Sequence, residues 1–143
     1  MYILSFSSYY SVMIIPEHIR GVIDGMDLHV LATASREGVP NVVYVRFLRV
    51  YDDERILIAD NKFFKTASNL GENPRASFVV LDKKKGVSYQ VKGTVEFHRS
   101  AGVFEETVEW VESLVDDPSI TPKAAVLFGV EEIYCGADKI PEE

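Results

Sequence analysis

Strand-like runs rich in β-branched and aromatic residues recur along the chain, and short connectors separate most of them. This pairing limits the fold more than any other feature, because short turns join only antiparallel neighbours. His29–Ser35 and Asn41–Tyr51 flank Arg-Glu-Gly-Val-Pro and read as a hairpin. A second tight turn, Asp52–Arg55, leads into Ile56–Ala59. Ala76–Leu81 is turned by Lys83-Lys-Lys-Gly86 into Val87–Phe97, a long alternating strand in which Gly93 marks a bulge or bend. Ala124–Cys135 supplies the last run. A long six-stranded antiparallel sheet relieves its edges by closing, so the expected fold is a mainly β, six-stranded antiparallel barrel with short helices outside it.

Helical periodicity appears in two further places. Pro16 and Glu17 suit a first turn, Ile19, Val22, Ile23 and Met26 follow at helical spacing, and Gly25 helps to end the segment. Residues 101–116 form another amphipathic helix. Its expected apolar stripe is Phe104, Val108, Val111 and Val115, with Glu105, Glu106, Glu109 and Glu112 outward.

A chain of 143 residues normally holds one domain with one sizeable core. The net charge of −7 disfavours a nucleic-acid surface, which needs an excess of lysine and arginine. A single cysteine, Cys135, rules out an internal disulfide framework and fits a reducing compartment. The histidines at 18, 29 and 98 have no metal-ligand spacing, so no metal is expected. Residues 1–15 are apolar but lack a positive n-region, and they are too short and too polar in the middle to span a bilayer. They read as an N-terminal arm, with Met13 as an alternative start, ahead of one domain over residues 16–143. The expected setting is cytoplasmic, without a membrane or nucleic-acid partner.

The link between Ala59 and Ala76 carries unusual chemistry. Its core, "NKFFKTASNLG", is too long for a tight turn and rich in helix formers. Asp60 or Asn61 can cap a helix there and Gly71 can end it. Unpaired N–H groups at a helix start favour an anion; Lys62 and Lys65 add charge and Thr66 a directional donor. Residue types alone leave two readings, a phosphate cradle or a solvated surface helix.

Elsewhere, Arg46 and Arg49 stand three apart on one strand-like run, so at most one faces a common site. His29 and His98 read as proton donors or as structural residues, and Trp110 as core or interface. No nucleophile, base and orienter group is visible, so reactivity would belong to a cofactor.

The stretches "LATASREGVPNV", "KTASNLGENPRAS" and "YQVKGTVEF", in this order and spacing, resemble the flavin-binding split-barrel proteins related to pyridoxamine 5′-phosphate oxidase, in particular their small FMN-binding relatives. The resemblance runs from about Pro16 to Gly136. It implies a split β-barrel that binds FMN and assembles as a homodimer with flavin sites at the interface. By position it implies that Tyr44, Val45 and Arg46 line the isoalloxazine and ribityl chain. The strand end at Ala59, Asp60 and Asn61 touches the flavin, and Lys65 and Thr66 hold the phosphate. Ser88 and Gln90 border the ring or come from the partner subunit. Two departures stand out. The chain lacks the oxidase's basic C-terminal region, and Lys65-Thr66 replaces an arginine-lysine pair. Pyridoxamine 5′-phosphate oxidation is therefore not expected. Three functions stay open: an FMN-dependent oxidoreductase acting on a small substrate, a non-catalytic flavin carrier, or a barrel that binds haem, a deazaflavin or a protein.

Overall fold

The structure is a computed structural model and describes residues 12–142. Most of the arm expected at the N-terminus, residues 1–11, lies outside the described residues. The body begins before the expected boundary at Pro16. Met13 and Ile15 are buried in the core, and their N–H groups donate to the carbonyls of Val130 and Asp53.

Among the described residues, three helices, α1 (Glu17–Asp24), α2 (Lys65–Glu72) and α3 (Gly102–Leu114), punctuate eight strands. The strands are β1 (His29–Ala34), β2 (Pro40–Val45), β3 (Leu48–Val50), β4 (Arg55–Asp60), β5 (Arg75–Asp82), β6 (Val87–His98), β7 (Ala124–Cys135) and β8 (Asp138–Lys139). All pairings are antiparallel, in the order β2-β1-β5-β6-β7-β4-β3, with β8 on β7.

The expected strand Asn41–Tyr51 is not one strand. It breaks at Arg46 and Phe47 into β2 and β3, and these stand at opposite ends of the sheet order. Only two residues join the two edges, so the sheet must curl until its ends are neighbours in space. No ladder closes them. The result is an open, curled half-barrel with a seam at Arg46–Phe47, and it has eight strands where six were expected, because of this break and the short β8.

The concave side holds the main core, including Leu31, Val45, Ile56, Ile58, Phe78, Val91 and Phe128, with Ile19 and Ile23 of α1 packed into it. β4 and β7 are buried on both faces, which is why they read as continuous apolar runs. Their second face lies under α3, against Val103 and Trp110. The α3 stripe differs from the expected one. Thr107 and Val111 are its buried residues, and the Thr107 hydroxyl donates to the Val103 carbonyl, whereas Phe104 and Val108 are only half-buried. Hydrophobicity alone misplaced that face by about one position, because a threonine with its hydroxyl bonded inside the helix buries like an apolar residue.

Gly93 is the bulge that the sequence suggests. The β6–β7 register shifts between Lys92 and Gly93, and a Cβ at Gly93 would collide with the Gly129 carbonyl and the Phe128 ring. Among the described residues no helix is long and apolar enough to cross a membrane.

Candidate functional site

The seam opens into a cavity of about 440 Å³. That volume lies within the range of roughly 300–1,000 Å³ typical of small-molecule sites. Val43, Tyr44, Val45, Arg46 and Phe47 form one wall, and Ala59 and the link from Asn61 to Thr66 form the other, with Ile120 closing a side. An unpaired seam in a sheet leaves room that a ladder would fill, so the site exists where the barrel fails to close.

Seven of the expected residues meet here: Tyr44, Val45, Arg46, Ala59, Asn61, Lys65 and Thr66. Of the two arginines, Arg46 lines the cavity. Arg49 instead stacks its guanidinium 4.7 Å from the Trp110 ring centroid. Trp110 in turn packs edge-on to Phe47, which makes it a support for the wall.

Asp60 does not line the cavity. Its carboxylate is buried and accepts the Phe63 N–H at 2.9 Å, closing the turn that precedes α2. Neither Asp60 nor Asn61 caps the helix; Phe64 occupies that position with no side-chain hydrogen bond. Gly71 lies inside α2, which runs on to Glu72 and ends at Asn73. Ser88 and Gln90 also lie outside the cavity. They are exposed on β6, paired with Leu81 and Val79.

Two polar groups on residues that line the cavity are unsatisfied or poised. Asn61 Oδ1 is buried without a donor. Thr66 is 3% exposed, and its Oγ1 accepts from Asn41 Nδ2 at 3.1 Å, which leaves its hydroxyl hydrogen free to donate. The same Asn41 amide reaches Thr33 Oγ1 at 3.2 Å, and Asn69 Nδ2 reaches that oxygen at 3.1 Å. This network of Thr33, Asn41 and Asn69 holds Thr66 from behind. Sequence reasoning missed all three. Asn41 and Thr33 face each other across the hairpin register, but the bond to Thr66 spans 25 positions and forms only in the fold.

The electrostatics are one-sided. Arg46, Lys62 and Lys65 line the cavity and no carboxylate does, in a chain of net charge −7. Lys62 also acts on Asp117, whose carboxyl is held below the ordinary carboxylate range first by the Ser119 side chain and backbone and then by the Lys62 charge. A larger open groove of about 990 Å³ lies between α1 and the β5–β6 turn. Its charges are mixed, and His18 Nε2 is spent on Asp82 at 2.8 Å. It offers no such convergence.

Residues 15–135 match the profile of the family described as pyridoxamine 5′-phosphate oxidase. An uncharacterized protein of Methanocaldococcus jannaschii is 40% identical over 106 residues, which is 73% of this chain and 69% of that protein. Two solved structures share the fold to the same degree. An FMN-binding protein from Syntrophomonas wolfei subsp. wolfei superposes with a TM-score of 0.63 at 20% identity, covering 81% of this chain and 82% of that one. HutZ, the heme storage protein from Vibrio cholerae, superposes with a TM-score of 0.63 at 18% identity, covering 86% and 95%. With the profile match spanning nearly the whole described chain, and a half-barrel whose cavity opens at its seam, this protein belongs to the pyridoxamine 5′-phosphate oxidase family.

Proposed function

We propose that the seam cavity binds flavin mononucleotide and that the protein is an FMN-dependent redox protein. One observation carries this reading: three cations and no carboxylate line a cavity that also holds a buried hydroxyl free to donate. A phosphate monoester needs that combination of mobile charge and a fixed donor. The orphaned Asn61 oxygen suits a ligand that presents an N–H, as the flavin ring does. Val43, Val45, Phe47 and Ile120 supply the apolar flank that a ring requires.

The fold alone does not choose between flavin and haem, since an FMN-binding and a heme storage protein resemble it equally. The lining residues include Tyr44 but no histidine, cysteine or methionine, so tyrosine is the one common axial ligand of haem iron that they offer. Bound FMN would supply the redox chemistry. The chain's own residues would bind the phosphate, orient the ring and hold water from one face. We place a second copy of the chain on the outer face of β2, β1, β5 and β6, where Ser88 and Gln90 lie.

The test is a paired titration. Replacing Lys65 and Thr66 together by alanine should weaken FMN while leaving riboflavin, which has no phosphate, nearly unaffected. Each lost charge-assisted contact is worth roughly 1.5–3 kcal/mol, or about ten-fold or more in affinity. Raising salt should erode wild-type FMN binding more than that of the double variant, because the lysine contribution is screened. Equal losses for both ligands would refute a phosphate site at Lys65 and Thr66. The absorbance of the purified protein separates flavin from haem, and rapid reduction by NADH or NADPH separates an oxidoreductase from a passive carrier.

A further inference from the structure

We infer that Lys123 is a positioning residue for the cavity: it latches the turn Asn61–Phe64 to the start of β7 and so sets where Lys65 and Thr66 stand. The inference rests on the flavin reading only for its ligand, because the latch itself is visible in the protein. Lys123 immediately precedes β7, far along the chain from the link. Its backbone N–H donates to the Asp60 carbonyl at 2.7 Å, and its Nζ donates to the Phe63 carbonyl at 2.9 Å. The same Nζ lies 3.8 Å from Asp60 Oδ1, the oxygen that accepts the Phe63 N–H. Both backbone polar groups of Phe63 are therefore held by this pair, one by Asp60 and one by Lys123.

The turn has little else to fix it. Helix α2 begins at Lys65 with no side-chain cap, and its local tie to the preceding loop is the Ser68 N–H on the Phe64 carbonyl at 3.0 Å. Asp60 is buried, and Lys123 is the cation the structure places beside it. A buried carboxylate deprived of its counter-charge keeps an uncompensated desolvation cost, which loosens the turn it closes. Lys123 does not line the cavity and its ammonium donates to the Phe63 carbonyl, so its influence on a ligand passes through Phe63 and the residues after it. Ile120, three residues earlier, forms part of the cavity wall. The loop from α3 to β7 thus contributes a wall and a latch to a site otherwise built from β2, β4 and α2.

Amide hydrogen exchange of the ligand-free full chain tests the latch without assuming any cofactor. In Lys123→Met, amides of residues 61–66 should exchange about ten-fold faster, in keeping with the loss of a charge-assisted hydrogen bond. Amides in the centre of β6 and β7 should keep wild-type rates. Lys123→Arg, which retains charge and donor, should restore residues 61–66 to within about two-fold. Unchanged exchange in Lys123→Met, or acceleration spread evenly over the sheet, would overturn the inference. The second readout is affinity. FMN should bind Lys123→Met about ten-fold more weakly and riboflavin less so, again by the value of one such bond; wild-type FMN affinity with loosened amides would overturn the positioning role. If the wild type binds no flavin, the proposed cofactor fails, while exchange still decides the latch.

Discussion

His29 opens β1 and is fully buried, with Nε2 on the Ile23 carbonyl at 2.9 Å, Nδ1 without a partner, and its ring edge-on to Phe78. It is a structural residue, so of the two readings the sequence left open, proton donation is the one the fold denies it. Burial pushes its pKa below the ordinary 6.5, against the smaller opposing pulls of the Ile23 carbonyl and the Asp24 charge. The sign follows directly. Below about pH 6.5 the unfolded chain takes up a proton that the folded chain refuses, so stability falls as pH drops through this window. Carboxylates with lowered pKa values act later. Asp82, held by the Lys85 backbone N–H, and Asp117, held by Ser119, lose their contribution only below their ordinary 3.8. Thermal melts between pH 7.5 and 5.5 should therefore show a falling Tm in the wild type. His29→Gln keeps an N–H donor but cannot charge, and its Tm should stay nearly level. Parallel slopes for the two proteins would assign the acid sensitivity elsewhere.

The same scale shows what was legible in the cavity. Lys65 and Thr66 line the cavity, but charge and hydroxyl beside a helix start left a phosphate cradle and a solvated helix both open, and only the resemblance pointed to them. Asp60 was expected at the flavin by resemblance and at a helix cap by its neighbours, whereas the fold sets its carboxylate on the Phe63 N–H and beside Lys123, 63 positions away. Residue type announces a chemical capacity. The fold decides where that capacity is spent.

At the scale of elements, Gly93 carries the bend of the longest strands. Its missing side chain lets β6 pass against the Gly129 backbone and the Phe128 ring. Backbone cannot retreat as a flexible side chain can, so Gly93→Ala must shift one strand or break the pairing beside the bulge. Overpacking of this kind costs about 1–3 kcal/mol or more, which for a chain of this size lowers Tm by several degrees. Chemical denaturation of the variant should show the loss as a shifted midpoint with unchanged slope. A midpoint equal to wild type would mean that the sheet has slack at this bend. Hairpins and bulge were readable in the sequence because turn residues and alternation are local. The break at Arg46–Phe47 was not. A run that crosses from one edge of the sheet to the other keeps strand composition throughout, and only closure of the whole sheet reveals the seam. The misplaced α3 stripe has a related cause, since Thr107 becomes apolar only after its hydroxyl finds the Val103 carbonyl.

For the whole molecule, the two sides of the sheet are treated unequally. α3 covers the outer face of β4 and β7, but no described element covers that of β2, β1, β5 and β6. Register aligns Tyr44, Val30, Val79 and Gln90 in one row across those strands, and Val42, Ala32 and Ser77 in the next. Val42 and Tyr44 are 64% and 74% exposed, and Val79 and Leu81 are exposed as well. An apolar patch spread over adjacent strands is unusual on a monomer, and a two-fold partner is the commonest cover for one. A second copy is the occupant we propose, because Tyr44 belongs both to this face and to the cavity, and Ser88 and Gln90 share the face without reaching their own chain's cavity. A partner on this face would carry its Ser88 and Gln90 towards the other's seam. Sedimentation of the wild type should then give about twice 16.1 kDa. Val42→Glu combined with Val79→Glu leaves the cavity lining intact, and by symmetry it sets like charges against each other across the proposed contact. That variant should sediment as a monomer and lose flavin affinity by about ten-fold or more, the cost of one or two hydrogen bonds from the missing subunit. A wild-type monomer with full flavin binding would refute the assembly. A monomeric variant that still binds flavin as tightly as the wild type would keep the dimer but remove Ser88 and Gln90 from the site.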